Sequence, residues 1–111
     1  CHIYLTMPFV LSWSMMEAMS MQATIVASDV LPVREMIAHG ETGLLVDFHQ
    51  PDALAAQVID VLSDPQAYAH LGPAARAFVA DKHDFLTRCL PEHLRQINAL
   101  VPAAKRMDVP Q

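Results

Sequence analysis

Charged residues are scarce in this chain, and it lacks the basic clusters typical of nucleic-acid-binding proteins. Only 17% of the 111 residues are charged, and the formal net charge is −5. Basic residues are adjacent only at Lys105 and Arg106. Proteins that bind nucleic acids neutralise phosphates with clustered lysine and arginine. The composition therefore argues against nucleic-acid binding.

Cysteine is equally scarce, and the chain lacks the paired spacings of metal ligands. The only two cysteines are Cys1 and Cys89, and the six histidines form no His-x-x-x-His pair. Structural zinc sites need closely spaced Cys and His ligands, so we expect no bound metal. The methionines between residues 7 and 21 are better explained by helix packing than by copper binding. We expect a free, buried Cys89 in a reducing compartment, with a disulfide to Cys1 as the alternative.

The chain also lacks an uninterrupted hydrophobic run long enough to span a membrane. Residues 3–27 carry a single charge, at Glu17, but proline, serine and glutamine interrupt them repeatedly. A spanning helix needs ~20 predominantly apolar residues. No basic segment precedes the apolar part, as it would in a signal peptide. We expect no transmembrane segment and a cytoplasmic location, with peripheral membrane association of a longer protein left open.

The start of the chain predicts an internal fragment of a longer protein. Cys1 is not an initiator methionine, and the residues that follow it already form an apolar run. A mature lipoprotein also begins with cysteine but usually continues into a polar tether, which His2–Leu5 is not. The apolar content of 53% is high for one domain of 111 residues. It fits either a large core or a chain separated from the partner that covers it.

Strand-like and helix-like segments alternate along the chain, which predicts an α/β fold. Strands are predicted at residues 2–6, 24–27 and 44–46, and the second is apolar on both faces, like a central parallel strand. Helices are predicted at residues 14–21, 32–38, 51–62, 65–71, 74–80, 84–90 and 92–100. The pattern predicts a short parallel sheet flanked by helices, a partial Rossmann-like domain. Residues 101–111 are expected to form a flexible tail.

Prolines and glycines predict where helices begin and end. Pro32 suits the first position of the second helix, and Gly40 after it suits the left-handed conformation. Gly72-Pro73 is predicted to interrupt the helices around it, and Pro91 to kink or restart the last helical pair.

The start of the first helix is the candidate functional site. Ser14 and Glu17 have the spacing of a capping box, in which each side chain bonds a backbone N–H at the helix start. The N-terminus of a helix also presents free N–H groups and a partial positive charge, so an anion can bind there. Ser28-Asp29 and His39 supply the residue types of a hydrolase triad, but no nucleophile-elbow motif accompanies them.

Several short motifs, taken in order, resemble the donor-binding domain of group 1 (family-4) glycosyltransferases, enzymes with two Rossmann-like domains in the GT-B arrangement. The matching segments are Ser14–Met19, Ile25–Asp29, Val33–Glu35, His39–Val46, Asp52–Ala55, Leu62–Pro65 and Ala74–Arg76. Each segment alone is weak evidence for the resemblance, but their order and spacing over residues 3–90 are specific to this family. The resemblance implies that residues 1–100 are the C-terminal part of such a donor-binding domain.

The resemblance implies a glycosyl or hexosyl transferase of glycan biosynthesis that moves a sugar from a nucleoside-diphosphate donor, with retention of configuration and no cofactor. Of two family glutamates with seven residues between them, the second maps to Glu17 and implies contact with the ribose hydroxyls. A carboxylate suits a vicinal diol because it can accept two hydrogen bonds. The first maps to Phe9, where this chain departs from the pattern.

The loop before the first helix is implied to approach the diphosphate and the sugar through its backbone N–H groups. This loop consists of Val10, Leu11, Ser12, Trp13 and Ser14, with Ser12 where the family often has glycine. Phe9 and Trp13 are either core aromatics or walls of a cleft, where they could stack on a sugar. No catalytic residue is identifiable, and we expect the isolated chain to be inactive because the rest of the enzyme is absent.

A second departure supports a second reading of the chain. Gln22 stands where the family usually has glycine, so it is predicted to adopt a positive φ, at a cost of roughly 1 kcal/mol. Together with Phe9, this departure mildly favours a non-catalytic module that binds a protein partner through an exposed apolar face. The sequence does not specify the sugar, the nucleotide base, the acceptor or the oligomeric state.

Overall fold

Three short parallel strands form the centre of the fold. In this computed structural model, which describes residues 3–6 and 12–101, the strands are β1 (Ile3–Leu5), β2 (Thr24–Ser28) and β3 (Leu44–Val46). Their order in the sheet is β1-β2-β3, and both pairs are parallel. The predicted α/β class, with a short parallel sheet flanked by helices, is confirmed, and β2 is the central strand.

Five α-helices connect and follow the strands. They are α1 (Trp13–Ser20), α2 (Leu31–Arg34), α3 (Pro51–Ser63), α4 (Leu71–His83) and α5 (Leu90–Leu100), with a π-helical segment at Phe85–Cys89. None of the helices in the described ranges has both the length and the hydropathy needed to cross a membrane. The chain divides into two compact units, Cys1–Val79 and Ala80–Gln111. Of the predicted tail at residues 101–111, residues 102–111 lie outside the described residues.

Strand β2 is buried on both faces because its side chains alternate between two apolar clusters. Ile25 and Ala27 lie in the larger cluster, whose other buried members are Met15, Met19, Val33, Met36, Ile37 and Ala75. Val26 lies in the second cluster, with Leu44, Val61 and Leu71. The predicted burial of methionines from the first helix is confirmed for Met15 and Met19. Strand β2 therefore anchors helices on both sides of the sheet.

Hydroxyl groups join β1 to β2 at the carboxyl ends of these strands. The Ser28 hydroxyl donates to the Thr6 carbonyl at 2.8 Å, and the Ser28 N–H donates to the Thr6 hydroxyl at 3.1 Å. The N–H of Asp29 donates to the carbonyl of Val46 on β3 at 2.9 Å. These bonds fix the sheet edge beside which α1 begins.

Three helix predictions are wrong in their bounds. The segment predicted as a helix at residues 65–71 consists of turns up to His70, and Gly72-Pro73 does not interrupt a helix but lies in the first turn of α4. Proline is tolerated there because the first N–H groups of a helix have no intrahelical acceptor. The second helix ends at Arg34 rather than residue 38. Pro91 lies in the first turn of α5, which continues from the π-helical segment with helical angles at Cys89 and Leu90, so the predicted kink or restart is a change of helix type instead.

Acidic side chains organise the second unit, which was predicted as a helical pair. Asp84 precedes the π-helical segment and accepts hydrogen bonds from the Thr87 N–H and hydroxyl, which hold the pKa of Asp84 below its ordinary value. Asp81 forms 2.8 Å ion pairs with Lys82 and Arg88, and hydrogen bonds from these two residues likewise lower its pKa. Cys89 is free and half-buried, whereas Cys1 lies outside the described residues.

The turn after α1 has the left-handed conformation that the sequence predicted. Gln22 has a φ of 61°, and Gly40 has a φ of 79° in the turn before β3. The Ala23 N–H donates to the Ala18 carbonyl and the Gln22 N–H to the Met19 carbonyl, both at 3.0 Å. This pair of bonds is a Schellman motif with glutamine in place of the usual glycine.

Substitution of Gln22 by glycine is expected to stabilise the protein. Gln22 is exposed, so the change removes a strained conformation without removing packing, and the free energy of unfolding should rise by about 0.5–1 kcal/mol. The matched control is Gln57→Gly within α3, which should lower the free energy of unfolding by about 1 kcal/mol. Urea denaturation measures both, and equal losses in the two variants would contradict the role assigned to the left-handed turn.

A two-pronged ion pair closes the loop between β2 and α2. Arg34 donates from Nε and Nη2 to the two carboxylate oxygens of Asp29, at 2.5 and 2.9 Å. These hydrogen bonds hold the pKa of Asp29 below its ordinary value of 3.8. Because the folded-state pKa is lowered, the pair contributes stability above pH 3.8 that is lost as the pH falls through the folded-state value.

The Arg34→Gln variant tests this ion pair through its effect on the pKa of Asp29. An NMR titration of the Asp29 carboxyl should give a pKa below 3.8 in the unmodified chain and a higher value in Arg34→Gln. Arg95→Gln is the control, since Arg95 pairs with Glu92 in the second unit and should leave the Asp29 titration unchanged. An Asp29 pKa that is the same in all three proteins would contradict the assigned ion pair.

Candidate functional site

The candidate site lies where β1 ends and α1 begins. In parallel α/β sheets, ligands bind outside the carboxyl ends of the strands, near the helix starts that follow them. Ser12 is the N-cap of α1, with extended backbone angles, and its carbonyl accepts hydrogen bonds from Met15 and Met16 at 3.1 and 3.4 Å. The N–H groups of Ser12, Trp13 and Ser14 precede these first helical bonds, so they point out of the helix end.

Three hydroxyl groups form a chain beside this helix start. Ser14 Oγ lies 2.6 Å from the Tyr4 hydroxyl and 2.6 Å from Ser12 Oγ. Tyr4 comes from β1, whereas both serines belong to the start of α1. The hydroxyl chain therefore joins the strand to the helix.

The predicted capping box at Ser14 and Glu17 is wrong. Ser12 rather than Ser14 is the N-cap, and it makes no side-chain capping bond. Ser14 is the second residue of α1, and its hydroxyl is engaged by Tyr4 and Ser12 instead of a backbone N–H. Glu17 consequently lies one turn inside the helix, where a capping role is not available.

Glu17 is exposed and borders a pocket on the outer face of α1. The pocket has a volume of about 440 Å³ and is lined by Ser14, Glu17, Ala18, Met21, Gln22 and Ala23. Ser14, Glu17, Ala18 and Met21 follow the i, i+3, i+4, i+7 spacing of one helix face. The volume falls within the range of small-molecule sites, ~300–1,000 Å³. Its walls combine the Glu17 carboxylate, the Ser14 hydroxyl and the Gln22 amide with three apolar side chains.

The other predicted site residues are only partly described. Phe9, Val10 and Leu11 lie outside the described residues. Trp13 is 84% exposed in the first turn of α1, so its interpretation as a core aromatic is wrong. The structure thus brings together Ser12, Trp13, Ser14 and Glu17 at the N-terminal half of one helix.

Tyr4 is the residue of this region that the sequence analysis missed. It was assigned only to a buried strand, and its hydroxyl now proves to contact Ser14. A tyrosine within an apolar strand usually places its hydroxyl against a polar partner, and this tendency could have predicted that Tyr4 has one.

Neither a metal site nor a hydrolase triad forms among the described residues. No group of three or more His, Cys, Asp or Glu side chains could hold a metal ion there. Asp29 is paired with Arg34, and the Ser28 hydroxyl donates to Thr6. His39 accepts a hydrogen bond from the Leu45 N–H through Nδ1 at 2.9 Å. Each of the three side chains therefore has a hydrogen-bond partner outside the hypothetical triad.

Comparison with known proteins gives one family and several partial relatives. The model of the group 1 glycosyl transferases matches residues 10–78. A phosphatidyl-myo-inositol mannosyltransferase of Mycolicibacterium smegmatis is 40% identical over 63 residues, which cover 57% of this chain and 16% of that protein. This chain therefore spans only a small part of that relative.

Two solved structures share the fold over nearly the whole chain. The Anabaena HepE protein in complex with UDP superposes with a TM-score of 0.77 at 21% identity, covering 91% of this chain and 28% of that one. Sucrose-phosphate synthase from Thermosynechococcus elongatus superposes with a TM-score of 0.75 at 26% identity, covering 90% of this chain and 26% of that one. The sequence match spans more than half of the chain, and with it the predicted resemblance is confirmed: the chain belongs to the group 1 glycosyltransferases.

Proposed function

We propose that this chain is the donor-binding part of a longer transferase, which moves a hexosyl or related sugar from a nucleoside-diphosphate donor to an acceptor with retention of configuration. The observation that carries the proposal is the exposed Glu17 carboxylate, which borders a pocket that extends along α1 from Ser14 to the turn at Gln22 and Ala23. The family match and the UDP bound by the HepE protein support it.

The diphosphate of the donor would bind at the start of α1. The outward N–H groups of Ser12, Trp13 and Ser14 and the positive end of the helix dipole favour an anion there. A linear chain of three hydroxyls uses only two of its protons internally, so one of the three hydroxyls keeps a proton to donate. Stabilising the departing diphosphate in this way is the main contribution that these residues could make to transfer.

The ribose of the donor would bind at Glu17. The residue lies one helical turn beyond Trp13, which separates the ribose position from the diphosphate position by about 6 Å along the helix. An ionised carboxylate can accept hydrogen bonds from both ribose hydroxyls. The exposed Trp13 ring, and Phe9 four positions earlier in the sequence, are the side chains that could stack on the sugar.

A protein-binding module is the second candidate function. Several large apolar side chains of the first unit are exposed, namely Leu5, Trp13, Met21, Leu31, Phe48, Ile59 and Leu62. Exposed apolar residues in such numbers are typical of surfaces that another polypeptide covers. In this reading Glu17 has no ligand, and nucleotides do not bind.

Binding of UDP to the 111-residue chain distinguishes the two candidates. Trp13 is the only tryptophan, and it lies at the proposed diphosphate site, so its fluorescence should change on titration with UDP or GDP. Glu17→Gln should weaken UDP binding by about tenfold or more, since a hydrogen bond to a charged group contributes ~1.5–3 kcal/mol. Glu41→Gln, at an exposed turn residue, is the matched control and should bind like the unmodified chain.

Two results would count against the donor-site proposal. The first is an unchanged Trp13 signal at millimolar UDP and GDP, confirmed by calorimetry. The second is an equal loss of affinity in Glu17→Gln and Glu41→Gln, which would indicate a general effect of charge rather than contact at α1.

Sugar transfer by the isolated chain is expected to be absent even if it binds nucleotides. The chain spans 16% of the mannosyltransferase that it matches, so most of a transferase's length lies outside it. Mass spectrometry of reactions with UDP-sugars and GDP-sugars should show neither product nor released nucleotide above the protein-free rate. Release of nucleoside diphosphate that depends on Glu17 would overturn this expectation.

A further inference from the structure

The C-terminal end of α1 uses a residue from a distant helix to complete its hydrogen bonding. The last four carbonyls of a helix lack intrahelical partners. Three of them are satisfied by the turn that follows: Met21, Ala23 and Gln22 donate their N–H groups to Glu17, Ala18 and Met19, respectively, all at 3.0 Å. The fourth, the carbonyl of Ser20, accepts from Arg76 Nη1 of α4 at 2.6 Å.

Arg76 suits this position electrostatically as well as geometrically. The C-terminus of a helix carries a partial negative charge, which a guanidinium stabilises. Because arginine stays protonated at all physiological pH values, the charge that favours this contact is always present. Of the four donors to these carbonyls, Arg76 is therefore the one that carries a positive charge and the one that lies outside the local turn.

A second contact, one turn earlier on α4, fixes the same end of α1. A Cβ atom at Gly72 would lie 2.3 Å from the carbonyl oxygen of Gln22 and 3.1 Å from its carbonyl carbon. The backbone of α4 thus approaches the left-handed residue of the Schellman turn as closely as glycine permits. Ala75, on the same side of α4, is fully buried with Met15 and Met19.

We propose that Arg76 is a positioning residue for the donor site and acts through α1. This inference rests on the proposed function, since it concerns how Glu17 is held where a donor would bind. Helix α1 has eight residues, a length at which an isolated helix is unstable, so its position depends on tertiary contacts. Glu17 lies three residues before Ser20, so loosening the Arg76 contact changes the placement of its carboxylate.

The proposal separates Arg76 from residues that contact the donor. Arg76 is an exposed residue of α4, and its hydrogen bond to Ser20 lies at the opposite end of α1 from the hydroxyl chain. It therefore acts on binding only through the helix. Loss of the contact should weaken donor binding without removing any group that touches the donor.

The test compares Arg76→Ala and Arg76→Lys in the 111-residue chain with Arg95→Ala as the matched control. Arg95 is an exposed arginine of α5 that pairs with Glu92. Hydrogen exchange of the Met21, Gln22 and Ala23 amides reports on the end of α1, and Trp13 fluorescence reports UDP affinity. Urea denaturation confirms that each variant is folded under the conditions of the assays.

Arg76→Ala should speed exchange at these three amides by about tenfold or more, the scale of one hydrogen bond from a charged group. UDP binding should weaken by a smaller factor, about three- to tenfold, because the lost contact reaches the site only through the helix. Arg76→Lys keeps a charged donor and should recover part of both effects. Arg95→Ala should change neither. A merely structural role would lower stability while leaving the UDP affinity of the folded protein unchanged.

The outcomes distinguish this inference from the function on which it rests. Unchanged amide exchange in Arg76→Ala overturns the proposed anchoring of α1, and so does an exchange effect that Arg95→Ala reproduces. Faster exchange with unchanged UDP affinity overturns the positioning role. If the unmodified chain binds no UDP, the proposed function fails and the donor role of Arg76 fails with it, whereas the exchange data still decide the anchoring.

Discussion

The fold depends on the burial of β2 on both faces. A strand in this position must send apolar side chains to both sides of the sheet, and Ile25, Val26 and Ala27 do so. Each face then needs a helical layer to exclude water. The chain meets this requirement with short crossovers between parallel strands, which place α1 between β1 and β2 in sequence and against the sheet in space.

The same constraint determines where the candidate site lies. A parallel crossover leaves one strand at its carboxyl end and starts the next helix there, so the beginning of α1 lies at the edge where β1 and β2 end. Thr6 and Ser28 hold the two strand ends together at this edge, and the Tyr4 hydroxyl holds Ser14 to β1. The described residues of the candidate site therefore take their positions from the strand pairing and from α1.

Much of this architecture can be predicted from the sequence because it follows from local chemistry. The continuous apolar run of β2 predicts a central parallel strand, and the comparison of Gln22 with a family glycine predicts its positive φ. The capping box at Ser14 was a wrong prediction for a tertiary reason. The Tyr4 hydroxyl, ten residues earlier, engages Ser14, and no local pattern encodes that contact.

The bounds of α4 and the role of Arg76 escaped prediction for a related reason. Gly72-Pro73 is a helix breaker in the interior but is harmless in a first turn, and only the register of the helix tells the two cases apart. That register is set by Leu71 and Ala75, which are buried in different clusters, and by the close approach of Gly72 to Gln22. The contact between Arg76 and Ser20 spans 56 positions, so no pattern within one segment could reveal it.

The left-handed conformation of Gln22 bears directly on the choice between a donor site and a protein-binding module. A glutamine at a family glycine position could indicate that the local geometry has been abandoned. The structure shows instead that Gln22 adopts the conformation that glycine would take and that both bonds of the Schellman turn form. Since L-residues resist this conformation, tertiary contacts such as that with Gly72 must hold it. The departure at Gln22 therefore no longer favours the non-catalytic reading, which is left to depend on Phe9 and on the exposed apolar side chains.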